Sequence, residues 1–115
     1  METRNSNSNS MADRYARQIR LPEIGVEGQR RISSGSVLLV GCGALGSTLA
    51  NNLVRAGVGS IRIVDRDVLE LNNLQRQVLF DEDDVAAGLP KAEAAGQKLR
   101  RVNSSVKVDA RVEDL

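Results

Sequence analysis

The apolar run Val37-Leu38-Leu39-Val40 passes directly into Gly41-Cys42-Gly43-Ala44-Leu45-Gly46. Such a run, bounded by glycines, predicts a strand buried on both faces. From Ala44 onward, Leu45, Leu49 and Leu53 recur at every fourth position with Ala50 and Val54 beside them. That spacing predicts a helix with one apolar face, ended by Gly57 and Gly59. Ile61-Arg62-Ile63-Val64 predicts a second strand, closing at Asp65. Strand, glycine turn, helix and strand make a βαβ unit, whose crossover is expected to be right-handed.

The rest of the chain extends this unit. Residues 1–10, METRNSNSNS, lack an apolar surface able to offset ordering entropy. Residues 1–12 are therefore expected to be a disordered tail, with Met11 an alternative start. Residues 13–34 carry a broken helical pattern. Tyr15, Ile19 and Leu21 look partly buried, Pro22 interrupts, and Glu27 to Ile32 restart it. Residues 66–90 show little periodicity and hold an acidic stretch, Asp81 to Asp84. Pro90 then predicts a helix start, with Ala92, Ala95, Leu99 and Val102 on one face. Val106, Val108, Ala110 and Val112 alternate with polar residues, predicting a third strand. The expected fold is α/β, a Rossmann-like three-layer arrangement with a mostly parallel sheet. Three strands are thin for a doubly wound domain, so a truncated protein is expected.

Composition narrows the chemistry. With 115 residues there is room for one small core. Aromatics make up 2%, Tyr15 and Phe80, too few for base-stacking platforms. A net charge of +1 offers no broad polyanion surface, so nucleic acid is not an expected partner. Cys42 is the single cysteine and histidine is absent. Disulfides, Cys/His zinc sites and Cys-His or Ser-His-Asp nucleophiles cannot be built from this set. No membrane span or secretory signal is visible, and cytoplasmic placement is the expectation.

The glycine segment has a physical logic. Gly41 permits the tight turn. Gly43, without a side chain, lets a phosphate or ribose approach the backbone. Gly46 lets helix and strand pack closely. The helix N-terminus offers unpaired N–H groups and a partial positive charge. Asp65, roughly twenty residues on, is placed to accept hydrogen bonds from ribose hydroxyls. Cys42 reads as a small loop filler. A dehydrogenase and an ATP enzyme would share all of this.

The segment after Asp65 separates them. Asp67, Asn72, Asn73 and Arg76 fall just outside the carboxyl end of a strand, and Lys91 follows at the second helix. An arginine fork and a compact lysine charge converging on one pocket suit a triphosphate. A dinucleotide pyrophosphate is usually held by the loop amides, with less need for these cations.

Several motifs in fixed order carry a resemblance. They are Arg14-Tyr15-Ala16-Arg17-Gln18-Ile19, Gly25 to Gln29, Val40 to Gly46, Ala56-Gly57-Val58-Gly59, Asp65 to Gln77, and Pro90-Lys91. Together they resemble the ThiF/MoeB/HesA family of sulfur-carrier adenylyltransferases, in the ubiquitin-activating (E1-like) superfamily. Residues 13–115 then correspond to the N-terminal part of its ATP-binding domain. Departures are Ala44 where glycine is frequent, Asn72 where serine is frequent, Asn103-Ser104 for Asn-Pro, and a slightly longer Ala86-Ala87-Gly88-Leu89 approach to the lysine.

The resemblance implies ATP-dependent adenylation of the C-terminal glycine carboxylate of a ubiquitin-like sulfur-carrier protein ending in Gly-Gly. It implies that Gly41, Gly43 and Ala44 line the ATP site and Asp65 holds the ribose. Asn72, Asn73 and Arg76 would contact the phosphates or their surroundings, and Lys91 would bind phosphate oxygens. Asp67 would help organise the region of a Mg²⁺ ion whose aspartate ligand is expected beyond residue 115. Arg17 would reach a neighbouring subunit's ATP site, so a homodimer is expected. Three alternatives stand beside this reading: an NAD(P)-dependent oxidoreductase, a non-catalytic partner subunit, and an inactive fragment.

Overall fold

A computed structural model describes residues 13–114; the tail expected over residues 1–12 lies outside them. Three parallel strands, β1 (Ser36–Val40), β2 (Ser60–Val64) and β3 (Lys107–Arg111), form one sheet in the order β1-β2-β3. Helix α3 (Ala44–Ala56) links β1 to β2, and α5 (Lys91–Val102) precedes β3. Among the described residues, two shorter helices, α1 (Ala16–Ile19) and α2 (Gly25–Ser33), come before the sheet. The parallel α/β arrangement agrees with the periodicities.

The core forms where α3 and α5 meet one sheet face. Ile61 and Ile63 of β2 pack with Ala50 and Val54 of α3 and with Ala92, Ala95 and Leu99 of α5. Val37, Leu39, Val108 and Ala110 join from the flanking strands. The opposite face is bare. Leu38 and Val40 are 55% and 56% exposed, and Leu38 lies in register with Arg62 and Asp109. β1 is thus buried on one face only, not on both as its apolar run predicts, because the described helices cover a single side.

A second expectation needs correcting. Of the predicted face of α3, Ala50 and Val54 are buried and Leu53 packs against the core, but Leu45 is 73% and Leu49 42% exposed, and Ser47 is buried instead. The reason is close approach. At Gly46 an added Cβ would lie 2.3 Å from the Gly41 carbonyl oxygen. Only small residues fit where the helix leaves the turn, so the bulky ones rotate outward. Leu21 is also exposed, whereas Tyr15 is buried.

Residues 66–90 hold more structure than their pattern suggests. A 3₁₀ turn spans Leu71–Asn73, and α4 spans Glu82–Ala86. The acidic stretch is a helix cap. Asp81 Oδ1 accepts from the Asp84 N–H, and Asp84 Oδ2 accepts from the Asp81 N–H, each at 3.0 Å.

The N-terminal helices are fastened to the C-terminal end of α3. Gln18 Nε2 donates to the Ala56 carbonyl at 2.7 Å and also bonds Gln29 Oε1. Asn103 Nδ2, fully buried, donates to the Tyr15 hydroxyl at 2.9 Å and to the Val54 carbonyl at 3.0 Å. The Tyr15 ring lies against Gly57, whose φ of +91° closes the helix.

Candidate nucleotide site

β1 and β2 end side by side, and the turn after β1 is built on their carboxyl ends. Gly41 adopts φ +90° and donates its N–H to the Val64 carbonyl at 2.8 Å. Cys42 follows, fully buried. Its N–H donates to Asp65 Oδ2 at 2.7 Å, and the Asp67 N–H donates to Asp65 Oδ1 at 2.7 Å. Asp65 therefore shapes the turn with both oxygens. A ribose hydroxyl would have to use the lone pairs these bonds leave.

Gly43 is the N-cap of α3 and has no side-chain cap. A Cβ added there would meet only Gln77 Nε2, at 4.0 Å. Packing thus dictates glycine at Gly46, and positive φ dictates it at Gly41. Within the described chain, neither constraint applies to Gly43. The space beside it is what an external group lying on the backbone would use, next to the N–H groups that open α3.

Lys91 is set beside this turn by a short antiparallel pairing. Val68 pairs with Pro90, Leu69 N–H donates to the Leu89 carbonyl, and Lys91 N–H donates to the Asp67 carbonyl at 2.9 Å. Gly88, at φ +66°, makes the preceding turn. The Lys91 residue is 8% exposed, and its Nζ lies 4.0 Å from Asp67 Oδ2. One hollow is lined by Gly41, Asp65 and Asp67, and a second by Asp67, Asn73 and Lys91, so Asp67 stands between them. Asn73 is held rigidly, its Oδ1 accepting from the Glu70 N–H at 2.9 Å.

The remaining residues singled out by sequence lie further out. Ala44, Asn72 and Arg76 are exposed and line neither hollow, and Arg76 Nη1 donates to the Asn72 carbonyl at 3.0 Å. Arg17 is exposed on α1, whose neighbour Gln18 is tied to Ala56. A helix as long as α3 (13 residues) spans about 20 Å. Arg17 is thus placed at the far end of α3 from Gly43. A larger concavity over the bare sheet face, lined by Leu38, Arg62 and Asp109 among others, is remote from this chemistry.

The electrostatics agree with a site that binds rather than attacks. Burial pushes the Cys42 thiol up to about 12; the Asp65 charge adds to the rise and the Lys91 charge opposes it. A buried neutral thiol is no nucleophile. Among the described residues, no three carboxylate, cysteine or histidine side chains are grouped so as to hold a metal ion by themselves. No helix among them is long and apolar enough to cross a membrane. Gln77, whose Nε2 faces the space beside Gly43, had no role assigned from sequence. It ends the Asp65 to Gln77 stretch that carries the resemblance, and that membership was its signal.

Several known proteins are similar to this chain. The sulfur carrier protein ThiS adenylyltransferase of Bacillus subtilis is 49% identical over 91% of this chain and 31% of its own length. The adenylyltransferase and sulfurtransferase MOCS3 of Sus scrofa is 54% identical over 81% of this chain and 20% of its own. This chain thus spans a third or less of those relatives. The crystal structure of E. coli MccB with ATP superposes with a TM-score of 0.78 at 32% identity, covering 89% of this chain and 31% of that one. The ThiF family model matches residues 15–115. By its strand order, its glycine turn and this match over most of its length, the chain belongs to the ThiF family.

Proposed function

We propose that the protein adenylates the C-terminal glycine carboxylate of a ubiquitin-like sulfur-carrier protein, using ATP. A carboxylate oxygen of the carrier attacks the α-phosphorus, the bond to the bridging oxygen breaks, and pyrophosphate leaves. The products are an acyl-adenylate and pyrophosphate, and no protein nucleophile is required. Catalysis is positioning together with neutralisation of phosphate charge.

The observation that carries this reading is Lys91. It is a nearly buried cation whose close counter-charge, Asp67, is itself exposed, with 62% of its side chain accessible. An incoming phosphate would exchange Asp67 for a stronger partner at little cost in desolvation. The α3 N-terminus and the space beside Gly43 would take further phosphate or ribose oxygens. Asp65, Asn73 and the backbone of Gly41 and Ala44 would complete the cradle. Arg76 and Asn72 would swing in from the surface. Mg²⁺ would arrive with the nucleotide, its protein ligand lying outside the described residues. Arg17 would act on a partner subunit's site in a homodimer, since its position at the far end of α3 puts it out of reach of its own. Cytoplasmic placement goes with this reaction.

ATP–pyrophosphate exchange that depends on a carrier ending in Gly-Gly tests the proposal. Exchange with the carrier, lost when its terminal glycine is removed, is the expected result. Tighter binding of NAD than of ATP would overturn it in favour of a dinucleotide enzyme.

A further inference from the structure

Gln77 carries the one buried side-chain polar atom among the described residues that lacks a hydrogen-bond partner, its Oε1. The residue is 3% exposed. Its backbone is fixed, with the N–H donating to the Asn73 carbonyl at 2.9 Å and the carbonyl accepting from Phe80 at 3.3 Å. The other end of the carboxamide, Nε2, is the nearest atom to the vacant side of Gly43. Unpaired buried amides are rare and forgo stability that an apolar residue of the same shape would keep. Oε1 is an acceptor and a phosphate offers it no donor; the end a ligand can meet is the donor, Nε2, which faces the space beside Gly43.

We propose that Gln77 is a binding residue for the anionic group seated at the N-terminus of α3, donating from Nε2 to a phosphate oxygen placed against Gly43. The inference rests on the nucleotide reading above and adds a residue to it. The position a Gly43 Cβ would occupy is 4.0 Å from Nε2. A ligand oxygen in that space needs to lie only about 1 Å nearer to reach hydrogen-bond distance. Glycine at position 43 and glutamine at position 77 then serve one purpose. The first clears the space, and the second supplies a neutral donor to what fills it.

Two variants and two probes test this. Gln77→Met keeps the volume and removes the polar cost; Gln77→Glu keeps the shape and places a negative charge beside the phosphate. Thermal unfolding and calorimetric titration with ATP and with adenosine are the readouts. Q77M is expected to melt no lower than wild type and to bind ATP roughly 10- to 100-fold more weakly, the range for a hydrogen bond to a charged group. Q77E should lose at least as much ATP affinity, and both should bind adenosine within about twofold of wild type. ATP affinity unchanged within twofold in either folded variant would overturn the inference. So would equal losses for ATP and adenosine, or failure of both variants to fold, since each marks a merely structural role. Absence of ATP binding by wild type would instead sink the nucleotide reading itself.

Discussion

Asp65 Oδ2 lies 2.7 Å from the Cys42 amide nitrogen and accepts a hydrogen bond from its N–H, clamping the end of β2 to the turn after β1. The second oxygen, on the Asp67 N–H, extends the clamp to the segment that carries Lys91. Asp65→Ala leaves buried amide donors unpaired and should cost about 1–3 kcal/mol of stability. Asp65→Asn keeps one acceptor and should cost less. Urea unfolding of the two variants checks the order. If nucleotide affinity fell in both while stability was unchanged, Asp65 would be a ligand residue without a structural part.

The two glycines at the head of α3 should separate fold from binding. Gly46→Ala drives a methyl group into the Gly41 carbonyl and should destabilise by at least about 1–3 kcal/mol. Gly43→Ala meets nothing closer than ordinary contact and should melt with wild type. Its ATP affinity should nevertheless drop at least tenfold. A Gly43→Ala protein that binds ATP normally would remove the glycine turn from the site.

Charge removal at the phosphates should act on rate. Lys91→Ala or Arg76→Ala is expected to lower carrier-dependent ATP–pyrophosphate exchange by roughly 10²–10³-fold, the range for a positioned electrostatic donor. Arg76 is exposed in the free protein, so its removal should leave stability within about 0.5 kcal/mol of wild type. Exchange within a factor of two of wild type would take either residue out of the mechanism.

Arg17 can be located by complementation. Arg17→Ala and Lys91→Ala subunits, mixed and allowed to exchange, give a dimer in which one site carries both defects and the other neither if Arg17 acts in trans. Activity should then partly return. Confirmed heterodimers without recovery would make Arg17 irrelevant or place it in cis, against its position at the far end of α3.

Cys42 should be silent until the protein opens. Its thiol is raised from 9.0 to about 12 by burial, with Asp65 adding to the rise. A group raised in the folded state contributes stability that is complete below the unfolded value. That contribution is lost as pH climbs from about 9 toward about 12. Unfolding free energy measured against pH should fall more steeply above pH 9 in wild type than in Cys42→Ala. Ellman's reagent should label the native thiol only as fast as the protein unfolds.

Much of this fold is written in local pattern. The runs that become β1, β2 and α5, and the glycine turn between β1 and α3, are legible because each is a periodicity bounded by glycine or proline. The face of α3 was legible only in part. Ala50, Val54 and Leu53 meet the core as their spacing predicts, but Leu45 and Leu49 do not. Steric access at Gly46 decides which side of the first turns meets the sheet, and that is a property of two elements together. α4 was missed because its signal is a capping pair, Asp81 and Asp84, with too few residues after it to show a period. In the site, Lys91 and Asp65 could be named from their positions after strand and turn. The dual use of Asp65 and the unpaired amide of Gln77 depend on tertiary distances that no spacing encodes.

The docking of α1 has a practical consequence. Tyr15 is the single tyrosine of a chain with no tryptophan, and it is buried with its hydroxyl bonded to Asn103. Its near-ultraviolet circular dichroism and its fluorescence therefore report one event, the seating of the N-terminal segment against Gly57 at the back of α3. Nucleotide absorbs in the same region but at the other end of the helix. A change in tyrosine emission lifetime on adding ligand would thus be an optical measure of communication along α3, without any label introduced.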